Sequence, residues 1–323
     1  MTVTIRVGDC RDVLREMEPE SVQMACTSPP FWRLRSYLPE GHPDKPNELG
    51  GESTPEEYVS NLVEVFRLVH RVLRPNGCVF LNLGDSYNGS GGAGGDYNAG
   101  GLRDGQPRYP GRNVASLKPK DLVGIPWAVA FALRADGWWL RSDIIWAKPN
   151  PMPESVTDRP TKAHEYLFLL TKSARYFYDA DAIREGNADP NRTSFSDSKR
   201  QMSEDMVVAS GDSHRGFGTT GKSLDDYAGA GRNKRTVWTI PTHSFPGAHF
   251  ATFPPALVEP CIKAGTKEGD TVLDPFAGAC TVGLEADRLG RDAELIELNP
   301  AYVAMGRKRI QDASPMFAEV EVI

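Results

Sequence analysis

The chain has 323 residues, is 40% hydrophobic and carries a formal net charge of −6. It can bury one large core plus an accessory lobe. No apolar run approaches the length of a membrane span, the start Met1-Thr2-Val3-Thr4-Ile5-Arg6 lacks the apolar core of a signal peptide, and Cys10, Cys26, Cys78, Cys261 and Cys280 show no close pairing, which excludes a membrane protein, a disulfide scaffold and a zinc site and points to the cytoplasm.

In chain order, Val7-Gly8-Asp9-Cys10 reads as a strand end, with Asp9 placed to cap a helix over Asp12 to Met17. Ser21 to Cys26 reads as a short buried strand, and Thr27-Ser28-Pro29-Pro30-Phe31-Trp32 leaves its carboxyl edge, where open α/β sheets place ligands. Pro29 and Pro30 fix their own φ and remove two donors, leaving a rigid row of carbonyls, with the Ser28 hydroxyl beside them, to accept hydrogen bonds from an amino group. Phe31 offers a face for a base taken out of its stack, or packs as an ordinary core aromatic. Thr54-Pro55-Glu56-Glu57 is a capping box opening a helix with apolar Leu62, Val65, Phe66 and Val69. Arg74 to Gly77 reads as a turn into a strand Cys78 to Leu83, after which Asp85 and Tyr87 line a pocket or belong to a plain turn. A helix over Leu122 to Ala135 and an aromatic strand Trp138 to Trp146 follow, with Trp146 a core residue or a second stacking surface.

Near the other end, Thr271 to Gly283 runs from a buried strand through the small-residue turn Asp274-Pro275-Phe276-Ala277-Gly278-Ala279-Cys280-Thr281 into a helix. Small residues let a cofactor approach the backbone. The next strand, Ala293 to Glu297, ends in an acid about twenty positions on, the placement of a carboxylate that accepts both hydroxyls of a ribose. Asn299 and Pro300 are the N-cap and first residue of a further helix. Alternating strands and helices predict an α/β fold with a mostly parallel sheet.

These residues resemble the amino-methylating DNA methyltransferases of the permuted, beta-type order, in which a Ser/Asp-Pro-Pro-aromatic motif precedes the S-adenosylmethionine motif. The resemblance implies a Rossmann-like S-adenosylmethionine-dependent methyltransferase fold in circularly permuted motif order and a catalytic set Ser28, Pro29, Pro30 and Phe31. The family's Asp-Pro-Phe-x-Gly-x-Gly-Thr pattern falls on Asp274, Pro275, Phe276, Gly278 and Thr281, with Glu297 on the ribose, and Cys280 stands where a second glycine is expected. A cysteine is tolerated there if its backbone is not left-handed. The resemblance also places Asp9 at the adenine amino group, beside its reading as an N-cap, and Phe253 with Pro254, after His249 and Phe250, around the methionine part of the cofactor. Pro260-Cys261 resembles the dipeptide of carbon-five cytosine methylation, but its setting reads as a helix, and attack by an amine needs no covalent enzyme intermediate.

By the same resemblance, residues 1–180 form the catalytic half of a methyltransferase domain, with a flexible insert at about 87–120, residues 181–248 the target-recognition region and residues 249–323 the cofactor-binding half. The acidic net charge runs against phosphate binding, so contacts to double-stranded DNA are expected from Arg103, Arg108, Arg112, Lys118 and Lys120 in the insert, which otherwise reads as a disordered solvated insertion, and from Arg192, Lys199, Arg200, Arg215, Lys222, Arg232, Lys234 and Arg235 in the recognition region. Serine before the two prolines implies cytosine N4 as the target. The alternatives are adenine N6 and a catalytically weak DNA- and cofactor-binding regulator. No metal is expected, dimers are common in the family, and a restriction endonuclease partner is open.

Overall fold

The strands of this chain differ in how they are connected, and that sets the sheet. The computed structural model describes residues 1–34, 36–38, 41–89, 114–186, 231–242, 253–313 and 319–323. Contacts divide it into two units, Met1–Tyr178 with Thr236–Ile323, and Asp179–Arg235. In the first unit β1 is Thr2–Val7, β2 Val22–Thr27, β3 Leu73–Leu83, β4 Trp139–Ala147, β5 His164–Thr171, β6 Val237–Thr239, β7 Thr271–Asp274, β8 Asp292–Glu297 and β9 Glu319–Val322. They form one sheet in the order β6-β4-β5-β3-β2-β7-β8-β1-β9. β5 pairs antiparallel with both β3 and β4, whereas all other pairings are parallel. It alone runs backwards because residues 148–163 link β4 to β5 without a crossover helix, and parallel neighbours need one.

The helices are α1 Cys10–Glu16, α2 Pro55–Val72, α3 Ile125–Ala135, α4 Pro255–Gly265, α5 Thr281–Arg288 and α6 Pro300–Ala313. α1, α2 and α3 pack against one another, as do α4, α5 and α6, giving two helical layers. α2 buries Tyr58, Leu62, Val65, Phe66, Val69 and Val72 at helical spacing. Its Thr54 hydroxyl accepts from the Glu57 amide, but Glu57 reaches back to Ser53 rather than to Thr54, one residue earlier than the box predicts. On the other side, a side chain at Gly283 would stand 2.5 Å from Leu295, so glycine lets α5 lie flat on β8. Among the described residues, no helix is long and apolar enough to cross a membrane.

Two boundaries differ from expectation by more than two residues. β3 begins at Leu73, and Arg74 to Gly77 form its irregular start, where the pairing with β2 shifts register. α3 begins at Ile125, not Leu122, because Gly124 is left-handed (φ 81°) and cannot extend the helix. The short β6 lies within the stretch expected as the recognition region. Residues 90–113 of the expected insert, with Arg103, Arg108 and Arg112, fall outside the described residues. So do residues 187–230, with Arg192, Lys199, Arg200, Arg215 and Lys222, and also His249 and Phe250. In the second unit, Glu185 gathers Arg232, Lys234 and Arg235 at 3.1 to 4.0 Å.

Candidate active site

The order β2-β7-β8-β1 brings four carboxyl ends side by side, and the segments leaving them line one cavity. Asp9 follows β1, Ser28 and Pro30 follow β2, Pro275 to Ala279 and Thr281 follow β7, and Glu297 ends β8. Phe253, in the turn before α4, lines it as well. Of the residues assigned to the site from the sequence, Pro29, Phe31, Pro254 and Asp274 do not reach this cavity. The turns after β2 and β7 are tied together, since the Thr27 hydroxyl donates to Asp274 Oδ1 at 2.7 Å across strands that already pair through Met24 and Ala25.

Asp274 therefore sits behind the cavity wall, fully buried, and its Oδ1 also accepts from the Phe276 amide at 3.1 Å. Burial pushes its carboxyl up to about 7; the bonds from Thr27 and Phe276 oppose the shift and the nearby Glu297 adds to it. Glu297 accepts from the Gly278 amide at 2.7 Å and from the Asn299 amide at 2.8 Å, which pins the turn to the strand end. Burial raises it to about 7 as well, against those backbone bonds. Its two oxygens keep lone pairs beyond the two backbone donors, enough for a diol. Asp9 fills both of its readings: it caps α1 through the Arg11 amide at 2.8 Å and it faces the cavity. Burial would raise its carboxyl, but the Arg11 guanidinium, bonded at 3.0 Å, outweighs that and holds it below the usual range.

The second glycine position is where the structure departs from expectation. Cys280 is left-handed, with φ 56° and ψ 37°, the backbone that a cysteine was expected to avoid. Its side chain is fully buried and is not part of the cavity lining. The substitution thus strains the backbone of the turn without filling the space in front of it.

Beside this pocket the Ser-Pro-Pro turn is held from several sides. The buried Tyr58 hydroxyl donates to the Pro30 carbonyl at 2.7 Å, and the Trp32 indole donates to the Glu52 carbonyl at 3.0 Å. The Phe31 ring lies so close to Gly84 that a side chain there would stand 2.5 Å from it. Ser28 donates its hydroxyl to Asn82 Oδ1 at 3.0 Å. The Asn82 amide cannot be turned over, because its nitrogen donates to Glu165 Oε2 and to the Tyr166 carbonyl, both at 3.1 Å. Glu165 is in turn paired with Lys148. The Ser28 proton is thereby committed to Asn82, and its oxygen lone pairs remain for an incoming donor.

Asp85 takes a role that the sequence did not weigh, whereas Trp146 and Cys261 take readings that it did. Asp85 accepts from the Gly124 amide at 3.0 Å and the Ile125 amide at 3.2 Å, so it caps α3 in place of Gly124, which has no side chain to do so. The Trp146 indole is buried and donates to the Ile240 carbonyl at 2.8 Å, a core role. Cys261 is buried in α4 with its thiol on the Leu257 carbonyl. Lys120 is exposed and paired with Asp158.

Sequence reasoning missed Asn82, and it missed the wall formed by Tyr37, Leu38, Glu48, Leu49 and Tyr302. Glu48 organises that wall by accepting from the Tyr37 amide, the Ser36 hydroxyl and Lys45, and the Asn299 side chain holds the Tyr37 carbonyl at 2.8 Å. The loop carries no periodic pattern that would have marked it. With an acidic strand end, a small-residue turn and aromatic walls, the cavity fits a nucleoside carrying a free ribose diol.

The comparisons with known proteins agree with this geometry. The family model of the N6/N4 methyltransferases, described as DNA methylase, matches residues 22–308. Type II methyltransferase M.Cfr9I of Citrobacter freundii is 42% identical over 315 residues, covering 95% of this chain and 87% of the relative. Type II methyltransferase M.SmaI of Serratia marcescens is 39% identical over 313 residues, covering 95% and 90%. Among solved structures, the putative DNA modification methylase TTHA0409 of Thermus thermophilus, complexed with S-adenosyl-L-methionine, shares the fold with a TM-score of 0.59, 24% identity and 99% of both chains covered. The cytosine-N4-specific PvuII DNA methyltransferase does so at 0.60, with 18% identity and 99% and 96% covered. The chain belongs to the DNA methylase family and is an S-adenosylmethionine-dependent enzyme.

Proposed function

We propose that this S-adenosylmethionine-dependent DNA methylase methylates the exocyclic N4 of a cytosine flipped out of duplex DNA, at a defined sequence, as a type II methyltransferase. The observation that carries the reading is the hydroxyl of Ser28, whose proton is committed to Asn82 and whose lone pairs are left to accept from an amine. The bound cofactor supplies an electrophilic methyl on a sulfonium.

Ser28 and the Pro29 carbonyl are the acceptors in this reading. Each takes an N–H of the amine, drawing the nitrogen lone pair out of conjugation with the ring and toward the methyl. With S-adenosylmethionine bound, the amine so held would take up the methyl in exchange for the sulfur, and one amine proton would leave to water. Positioning and preorganised acceptors lower the barrier, and no covalent enzyme intermediate is required. Pro30 and Trp32, held by Tyr58 and Glu52, keep the acceptors from drifting. Phe31, half-buried against Gly84, is the proposed face for the flipped base. On the cofactor side, Glu297 receives the ribose hydroxyls, Asp9 the adenine amino group, and Pro275, Phe276, Gly278, Thr281 and Phe253 surround the rest. Asp274 acts from behind the wall, through Thr27 and the Phe276 amide. Residues 181–248 are proposed as the target-recognition region and the remainder as the methyltransferase domain.

The test is transfer of labelled methyl from S-adenosylmethionine to mixed-sequence genomic DNA, followed by nucleoside digestion and mass spectrometry. N4-methylcytosine is the expected product. N6-methyladenine would overturn the base assignment, and cofactor binding without any transfer would favour the regulator reading.

A further inference from the structure

The turn after β7 is gripped from two sides, and only one of them faces the cofactor cavity. In front, Glu297 holds the Gly278 amide. Behind it lies α6. Arg309 donates to the Ala279 carbonyl at 2.9 Å and to the Thr281 hydroxyl at 2.8 Å, the two residues on either side of Cys280. One turn earlier in the helix is Gly306. A side chain added at Gly306 would overlap the Cys280 thiol and stand 2.9 Å from Cys280 Cβ.

Each residue of this pair breaks a local preference. Cysteine disfavours the left-handed backbone that Cys280 adopts, and glycine weakens the interior of a helix such as α6. The two breaches answer each other, because the missing side chain on α6 is the space that the extra side chain on the turn fills. Cys280 N–H still closes onto the Ala277 carbonyl at 2.7 Å and its carbonyl still accepts from Leu284 at 3.0 Å, so the turn enters α5 without losing either bond.

We infer that Gly306 is a positioning residue for the cofactor: by receiving the Cys280 side chain, it lets α6 hold Ala277 to Thr281 in the place from which they line the cavity. The inference rests on the assignment of that cavity to S-adenosylmethionine and is independent of which base is methylated.

The test is to titrate S-adenosylmethionine into the full chain by calorimetry. Gly306→Ala should raise Kd about tenfold, the effect of roughly 1.4 kcal/mol and within the usual cost of overpacking. In the Gly306→Ala background, Cys280→Ser and then Cys280→Gly should bring Kd down stepwise, the last to within about twofold of wild type. The KM for DNA should stay put, which a general loss of structure would not allow. Wild-type Kd in Gly306→Ala would overturn the inference, and so would equal weakness of Cys280→Ser and Cys280→Gly when each is combined with Gly306→Ala. That second comparison stands even if Gly306→Ala alone does not fold. Failure of the wild-type protein itself to bind S-adenosylmethionine would instead strike at the cofactor assignment.

Discussion

The turns after β2 and β7 leave neighbouring strands at the same edge of the sheet, and they are made rigid by opposite means. After β2, rigidity is covalent: Pro29 and Pro30 fix φ within the segment, and Tyr58 and Glu52 only fasten what is already stiff. After β7 the segment is soft, with left-handed Gly278 and Cys280, and its shape is imposed by Glu297 on one side and by Gly306 and Arg309 on the other. In the proposed reading, a turn that orients a reacting amine suits the first solution. A turn whose backbone comes close to a large cofactor, in the same reading, suits the second, since a proline in place of Gly278 would remove the amide that Glu297 holds.

Such a contrast predicts a clean division of effects. The largest is expected at the stiff turn: Ser28→Ala should lower kcat by about two orders of magnitude, the usual cost of a lost preorganised partner, while the Kd for S-adenosylmethionine stays within about twofold by calorimetry. Equal loss of both would dissolve the distinction between the turns.

Next comes Glu297→Gln at the soft turn. It should weaken cofactor binding about 10- to 100-fold, the scale of a charge-assisted hydrogen bond, with kcat at saturation much less affected. The same residue gives a pH signature. Glu297 is raised to about 7 by burial and accepts hydroxyls best when ionised, so wild-type affinity should climb between about pH 6 and pH 8, and Glu297→Gln should flatten the climb. Stability of the cofactor-free protein should move the other way. Asp274 and Glu297 hold protons in the folded chain that the unfolded chain gives up, so their contribution is fully present below about pH 4 and is lost as pH rises through about 7. Denaturant melts across that range check the sign.

A smaller effect should follow from Asn82→Leu. Freed of its acceptor, the Ser28 hydroxyl can turn its proton toward the amine, and kcat should fall about tenfold with cofactor binding unchanged. The smallest is Thr27→Val, which cuts the one side-chain bond from the end of β2 to Asp274 and leaves that carboxyl short of a donor. The expected loss is about 1–2 kcal/mol of unfolding free energy in urea melts, with modest changes in both kcat and Kd.

The same contrast explains what could be read from the sequence. The stiffness of the turn from Ser28 to Phe31 is legible because proline writes its constraint into the chain itself, and the place of Glu297 at the cavity is legible because a strand ending in an acid after a small-residue turn is a local pattern. Asp274 was placed in the right motif, yet a strand end does not say which way its side chain turns, and here it faces Thr27 rather than the cavity. The sequence leaves Asp85 between a pocket and a plain turn, and instead it satisfies the bare start of α3, a need created about forty residues later by Gly124. Cys280 could not be judged without Gly306, since the room for its side chain is a gap on a different helix. Asn82, within an apolar strand, became meaningful only once Tyr166 and Glu165 on β5 fixed the direction of its amide.

The sheet order also governs how the molecule comes to exist. β2 has β3 close at hand on one side, but its other neighbour, β7, lies far along the chain, with Thr27 and Asp274 separated by 247 residues. β1 must wait for β8 and β9 on both sides. At the usual pace of translation, about 5–20 residues per second, the unpaired edge of the fully buried strand β2 stays bare for roughly 10–50 s on the ribosome. The turns after β2 and β7 therefore reach their folded geometry together, only once the distal strands have arrived.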